Sequence, residues 1–321
     1  MKTIIITVVA MLLSVIVQTS ATAQDFPLTI EHKFGSTTID QQPERVASID
    51  YSGVDNLLAL GVQPVTIRYW FGENEGIFPW AADHLNSSPI VLKGLDFEQI
   101  AAANPDVIIA IASGITSEEY EKLSKIAPTV AVAPGIGDFA MPWDARALMA
   151  GKIVGKAAEA QAKVDALKAK FKSAADANPH WQGQSMAISF FYDGLPGAFT
   201  SVDTRSQVLA EFGFVVPKNI DELAGEGKFW TPFSEEQIEY LDTDLLVWTF
   251  SGDEGRDTIL NWKGREFLAP SKEGRELFLG DGPRAAFSYG SLLSLDHLVD
   301  ELVPMLEAAT DGDPTTNKDN R

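Results

Sequence analysis

The segment Glu98 to Gly114 recurs 138 residues later as Glu236 to Gly252, in register and without a gap. Glu98-Gln99-Ile100 returns as Glu236-Gln237-Ile238, Asp106 as Asp244, and Ser113-Gly114 as Ser251-Gly252, six identities in seventeen positions. Between the matched points each copy passes through an apolar run, Val107 to Ile111 in one and Leu245 to Trp248 in the other. A chain that repeats one supersecondary unit at this distance is constrained to two similar lobes, and two lobes make a cleft.

The ends of the chain read differently from its middle. Lys2, the apolar run Ile4 to Val17 and the small residues Ala21-Thr22-Ala23 have the order of a secretory leader cleaved near Ala23. The apolar run is shorter than the ~20 residues of a spanning helix, the alternative reading. We therefore expect export, with residues 1–23 as a signal peptide. The sequence contains no cysteine, so neither disulfides nor a lipid-modified cysteine are available to it. Retention near the cell without a lipid anchor favours a periplasm. A formal net charge of −20 argues against nucleic acid and anionic membranes as partners.

Short strands and helices alternate through 24–141, the pattern of a mostly parallel α/β sheet. Arg45 to Ile49 reads as a strand, Val54 to Leu60 as a helix closed by Gly61, and Val62 to Ile67 as the next strand. The first repeat copy supplies a helix and a strand; Tyr120 to Ile126 and Thr129 to Val132 supply another pair. Residues 142–177 break the rhythm. Apolar residues recur there at spacings of three and four, predicting one helix of roughly 50 Å between the lobes. The second lobe, 178–309, restarts with strand Ser185 to Phe191, helix Ser206 to Phe212 closed by Gly213, and Phe214 to Val216. After the second repeat come a helical region at 259–268, a strand at Ala285 to Phe287 and a helix from Leu293 to Leu306. Residues 310–321 read as a loose tail. The fold class expected is thus two Rossmann-like α/β lobes joined by one long α-helix, with a ligand cleft between them.

Each repeat copy opens with a capping signature, Asp96-x-x-Gln99 and Ser234-x-x-Gln237, which places Glu98 and Glu236 at the second helical position. A carboxylate there favours the helix dipole by ~0.3–1 kcal/mol, and either glutamate alone needs no other explanation. The matched pair suggests more. Helix starts lie at the carboxyl edge of an α/β sheet, where its ligand crevice also lies. Two anions flanking a cleft suit a partner with two matched arginines, and set orientation and encounter rate.

The order RVASID, LLALGVQP, LDFEQIAAANPDVIIA, YEKLSKIAPTVAV, long helix, VLAEFGF, FSEEQIEYLDTDLLV, SYGSLLSLDHLVDELVPML resembles the periplasmic iron–siderophore-binding proteins of ABC importers. That class also contains cobalamin and haem binders, and the resemblance covers nearly the whole chain after the leader. It implies two α/β lobes joined by one long helix, a ferric siderophore held between them, and a glutamate on each lobe engaging the membrane permease. Glu98 and Glu236 stand at those positions. It also implies a ligand-binding arginine at Arg205, between the strand and helix of the second lobe; surface contact is the alternative reading. Arg68 and Trp70 at the end of a strand, Ser113 in the repeat loop, Phe250 after the repeat strand and Tyr289 are further candidates for ligand contact. Packing is the competing role for each aromatic residue, and the better one for Trp143 and Trp230.

Other chemistries find little support. His32, His84, His180 and His297 are widely separated, so no metal-ligand cluster is expected. No G-x-S-x-G elbow occurs, and Gly151-x-x-x-Gly155-Lys156 has the wrong spacing for a phosphate loop. That glycine pair suits close helix packing. No catalytic residue and no cofactor are expected, iron entering only within a bound siderophore, and the chain is expected to be a monomer. The alternative cargo is haem, with Tyr69, Tyr192 or Tyr289 as an available ligand, or cobalamin. An exported α/β enzyme would need a nucleophile–base or metal constellation that the sequence does not display.

Overall fold

The computed structural model describes residues 26–71 and 76–316; the leader expected at 1–23 lies outside them. Lobe one opens with an antiparallel hairpin, β1 (Leu28–His32) and β2 (Gly35–Ile39). It continues through β3 (Val46–Ser48), α1 (Gly53–Ala59), β4 (Thr66–Arg68), α2 (Pro79–Ala82) and β5 (Ile90–Leu92). The first repeat copy follows as α3 (Phe97–Ala102) and β6 (Val107–Ala110), then α4 (Ser117–Leu123) and β7 (Thr129–Ala131). All five strands of the main sheet are parallel, in the order β5-β4-β3-β6-β7. Buried on both faces, they are short and almost wholly apolar, as parallel strands must be.

The single helix predicted over 142–177 is two helices, α5 (Trp143–Ile153) and α6 (Ala157–Ala177). The break falls at Gly155, whose φ of +72° lies in the left-handed region that a glycine enters without steric cost. α6 doubles back along α5, and Gly151 lets them meet: a Cβ built there would stand 2.3 Å from that of Ala160. The link between lobes is therefore α6 alone, about 31 Å over its 21 residues rather than 50. Its side chains serve two cores in succession. Ala160 packs in lobe one with Ile153 and Val130, whereas Val164, Leu167 and Phe171 pack in lobe two with Trp181 and Phe212. Burial of each large side chain contributes roughly 1.5–3 kcal/mol, so sliding one lobe along the helix would uncover a core.

Lobe two comprises β8 (Met186–Tyr192), β9 (Leu195–Phe199), α7 (Thr204–Glu211), α8 (Lys218–Ala224) and β10 (Trp230–Pro232). A 3₁₀ segment, Glu235–Leu241, and β11 (Leu245–Thr249) form the second repeat copy. Then come α9 (Gly252–Asn261), α10 (Ala269–Glu273), β12 (Glu276–Leu279), α11 (Asp281–Tyr289) and α12 (Leu292–Thr310). The sheet order β10-β9-β8-β11-β12 reproduces that of lobe one strand for strand. The repeat is thus structural as well as sequential. Asp106 accepts the amides of Glu44 and Arg45 ahead of β3, and Asp244 accepts the amide and hydroxyl of Ser185 ahead of β8.

Three local expectations are corrected. The strand beside β8 is not Phe214–Val216, which makes only one bridge through Val215, but β9, antiparallel and joined by a hairpin turn. Asp193 and Gly194, with φ of +51° and +77°, are the Asp-Gly pair that a tight two-residue turn demands. Ala285–Phe287 is helical, within α11; the β-strand is the preceding ELFL segment of β12. Finally, Thr310 ends α12 instead of opening a loose tail, because its hydroxyl accepts from Trp181 Nε1 at 2.7 Å.

Candidate functional site

The carboxyl ends of β3, β4 and β6 in lobe one face α7 and α11 of lobe two, and a cavity of about 270 Å³ lies between them. Tyr51, Trp70, Ala112 and Phe139 line it from lobe one. Asp203, Thr204, Arg205, Phe229 and Ser288 line it from lobe two, and Ser52 and Arg146 complete it. The aromatic residues form a continuous arc across the junction. Trp70 lies 5.5 Å from Tyr51, Tyr51 6.2 Å from Phe139, and Phe139 6.0 Å from Phe229 of the other lobe.

Arg146 projects from α5 into the seam between lobes and is 7% exposed. Its Nη1 donates to Ser52 Oγ of lobe one at 3.0 Å, and its Nη2 to the Gly290 carbonyl and Thr204 Oγ1 of lobe two at 3.0 and 3.3 Å. Gly290 is required there: its φ is +52°, and a Cβ would meet Thr204 Cγ2 at 2.3 Å and Arg146 Nη2 at 2.9 Å. Burial lowers the Arg146 pKa to about 10, against Asp50 and Asp203, so the guanidinium stays charged at neutral pH. Asp50 is buried just beneath and accepts the Ala112 amide at 2.8 Å. Burial raises its pKa to about 7 despite that hydrogen bond and the nearby Arg146 and Arg68.

A second tie runs between α1 and α12. Asp55 Oδ2 accepts from Trp80 Nε1 and from the Ser291 hydroxyl, both at 2.8 Å, and Asn56 Oδ1 accepts the Leu292 amide. Burial raises Asp55 to about 6, opposed by those two donors.

Of the residues singled out from sequence, Arg205 and Trp70 line the cavity. Arg205 is already engaged: Nε and Nη2 donate to the two oxygens of Asp203, Nη1 donates to Ser288 Oγ, and the guanidinium lies 3.7 Å over the Phe199 ring. Arg68 lies behind the wall, 4.1 Å from the Tyr51 ring centre, with Nη1 donating to the Ser113 carbonyl at 3.0 Å. Ser113 is buried, its hydroxyl donating to the Ala110 carbonyl. Tyr289 is buried as well; its hydroxyl donates to the Gly76 carbonyl and its ring packs against Trp70, Phe71 and Phe78. Burial raises its pKa well above the usual phenol range. Phe250 lines a separate depression with Phe191 and Glu254. Trp143 packs on Phe171, and Trp230 on Phe190 and Tyr192.

Sequence reading missed Tyr51, Phe139, Arg146 and Phe229. Tyr51 and Ser52 follow directly on β3, a position the carboxyl-edge rule could have flagged. Arg146 was visible as a cation on an otherwise Ala/Leu face of α5. Phe139 and Phe229 lie in irregular connections, and their meeting depends on how the lobes face each other.

Glu98 and Glu236 are both exposed. Asp96 caps α3 by accepting from the amides of Glu98 and Gln99, and Ser234 forms a reciprocal box with Gln237. β10 runs parallel to β8, since both are antiparallel to β9, so both glutamates follow strands that end at a carboxyl edge. Among the described residues no group of three or more His, Asp or Glu side chains could hold a metal ion, and no helix is long and apolar enough to cross a membrane.

Two lobes sharing one spanning helix, with a lined cavity at their junction, define a binding protein. Residues 80–265 match the model of the periplasmic binding protein family, more than half of the chain, and the chain belongs to that family. Among curated relatives, YhfQ of Bacillus subtilis (strain 168), provisionally named an ABC transporter substrate-binding lipoprotein, is 29% identical over 188 residues. That match spans 53% of this chain and only about half of YhfQ, 54%. YfiY of the same organism, named a probable siderophore-binding lipoprotein, is 25% identical over 242 residues, 71% of each chain. Among solved structures, PiaA of Streptococcus pneumoniae TIGR4 in complex with ferrichrome superposes with a TM-score of 0.78 at 26% identity, covering 89% of this chain and 99% of PiaA.

Proposed function

We propose that this protein binds a ferric siderophore in the interlobe cavity and delivers it to the permease of an ABC importer. The observation that carries the reading is the cavity itself. Its aromatic arc spans both lobes and offers a concave, largely apolar seat with a few polar groups, the character of a small-molecule site. Supporting it, YfiY is named for siderophore binding, PiaA was solved with ferrichrome, and another PiaA structure is titled an iron uptake ABC transporter substrate-binding protein. Iron enters only as part of the cargo. The chain is exported, loses its leader near Ala23 and acts as a monomer in the periplasm. Trp70 in the cavity wall makes binding visible. Titrating the mature protein with ferric siderophores should quench tryptophan fluorescence saturably, while haem and cobalamin should not; saturation by haem or cobalamin alone would overturn the assignment.

Glu98 and Glu236 are proposed to dock the permease, one from each lobe. Their exposure and matched place at helix starts support this role, and neither touches the cavity. Changing both to alanine is expected to lower iron uptake roughly tenfold or more while leaving affinity within about twofold. Weakened ligand binding in the double variant would refute a pure docking role.

A further inference from the structure

The cavity has aromatic walls but almost no spare positive charge. Every arginine that reaches the junction arrives already engaged. Arg205 makes a two-pronged pair with Asp203, and Arg284 pairs with Asp281 at 3.2 Å while lying over Phe71. Arg68 spends its donors on backbone carbonyls under Tyr51. Arg146 is held by Ser52, Thr204 and Gly290 with Asp50 nearby. Arg68, Arg146 and Arg205 together face Asp50 and Asp203, three cations against two carboxylates. Among the described residues no lysine lines the cavity. The remainder of the molecule, at −20, opposes any polyanion from a distance.

Such a site recognises cargo by shape and apolar contact, and a multiply charged anion would be buried in it without counter-charge. Three singly charged hydroxamates neutralise a ferric ion, whereas three doubly charged catecholates leave a trianion, and ferric citrate complexes are also anionic. Resting on the siderophore reading above, we propose that the cargo is a ferric complex of near-zero net charge, the tris-hydroxamate class. The Asp203 carboxylate, by neutralising Arg205, excludes tris-catecholates. Hydroxamate complexes present aliphatic surface around the metal, which suits Tyr51, Trp70, Phe139 and Phe229.

The test is a parallel fluorescence titration of the mature protein with ferrioxamine B, ferrichrome, ferric enterobactin and ferric dicitrate. At least one hydroxamate complex should bind about 100-fold or more tightly than ferric enterobactin and ferric dicitrate. Equal or tighter binding of either anion would overturn this inference while leaving the siderophore reading standing. If none of the four bound, both would fall. Asp203→Asn retains a side-chain oxygen to cap α7 while releasing the Arg205 charge. It should narrow the preference for hydroxamate over catecholate by about tenfold, with folding checked by circular dichroism. A preference unaltered in the folded variant would show that charge is not its source.

Discussion

Arg146→Met is expected to lower unfolding stability by about 3–5 kcal/mol, the range for stripping one partner from a buried charged cluster. Methionine preserves much of the side chain's length and apolar stem, so packing in α5 is largely retained. What disappears is the guanidinium. The Gly290 carbonyl loses a buried donor, Ser52 and Thr204 lose their shared partner, and Asp50 loses a nearby cation. Hydrogen bonds to a charged group contribute about 1.5–3 kcal/mol each, and three are removed. The three partners belong to both lobes, so the loss should also loosen the seam between them. Urea unfolding at a fixed pH gives the number; a loss below about 1 kcal/mol would mean that Arg146 is not the tie the geometry describes.

The second large effect is on pH dependence. Asp50 titrates near 7 and Asp55 near 6 in the folded protein, both raised mainly by burial. In the unfolded chain such carboxyls ionise near 3.9. Between those values the folded state holds protons that the unfolded state has released, so these two groups make stability fall as pH rises. The fall begins near pH 4 and is complete once the pH passes about 7. A shift of three units in one carboxyl corresponds to about 4 kcal/mol. Asp50→Asn can still accept the Ala112 amide and has nothing to ionise. Its stability relative to the unaltered protein should therefore climb by a few kcal/mol between pH 4.5 and pH 8, roughly 2–4. Other titrating groups cancel in that difference. A constant difference across the range would place the Asp50 proton elsewhere.

Much of the architecture was legible because it is local. The helix starts at Asp96 and Ser234 follow from side chains that satisfy the first free amides of a helix, and both were found where the spacing put them. The break at Gly155 and the β8–β9 hairpin were missed although each had a local sign. The glycine was read as helix packing, which Gly151 in fact provides, and Asp193-Gly194 was passed over as part of a loop. In lobe two the hairpin fills the place that a strand after a helix fills in lobe one. The expectation of parallel strands there failed for β9 and β10 pairing while holding for β8, β11 and β12.

The site was less legible. Trp70 and Arg205 were found because each sits near a strand end or helix start. Arg205's engagement by Asp203 two residues earlier is a matter of side-chain conformation, and it changes the charge a ligand would meet. Tyr289 was placed in the gap on the assumption of a preceding strand; as the last residue of α11 it is buried under the aromatic loop.

From sequence alone the 138-residue repeat and the apolar periodicities determined two α/β lobes, a helical link and the placement of Glu98 and Glu236 at matching helix starts, since capping and periodicity act over a few residues. Tertiary structure alone decided what lies between the lobes. Arg146 meets Ser52 and Gly290 across 94 and 144 residues of sequence, and Phe139 meets Phe229. No local rule sets such distances: they follow from how α6 divides its buried face between two cores and so fixes how one lobe faces the other.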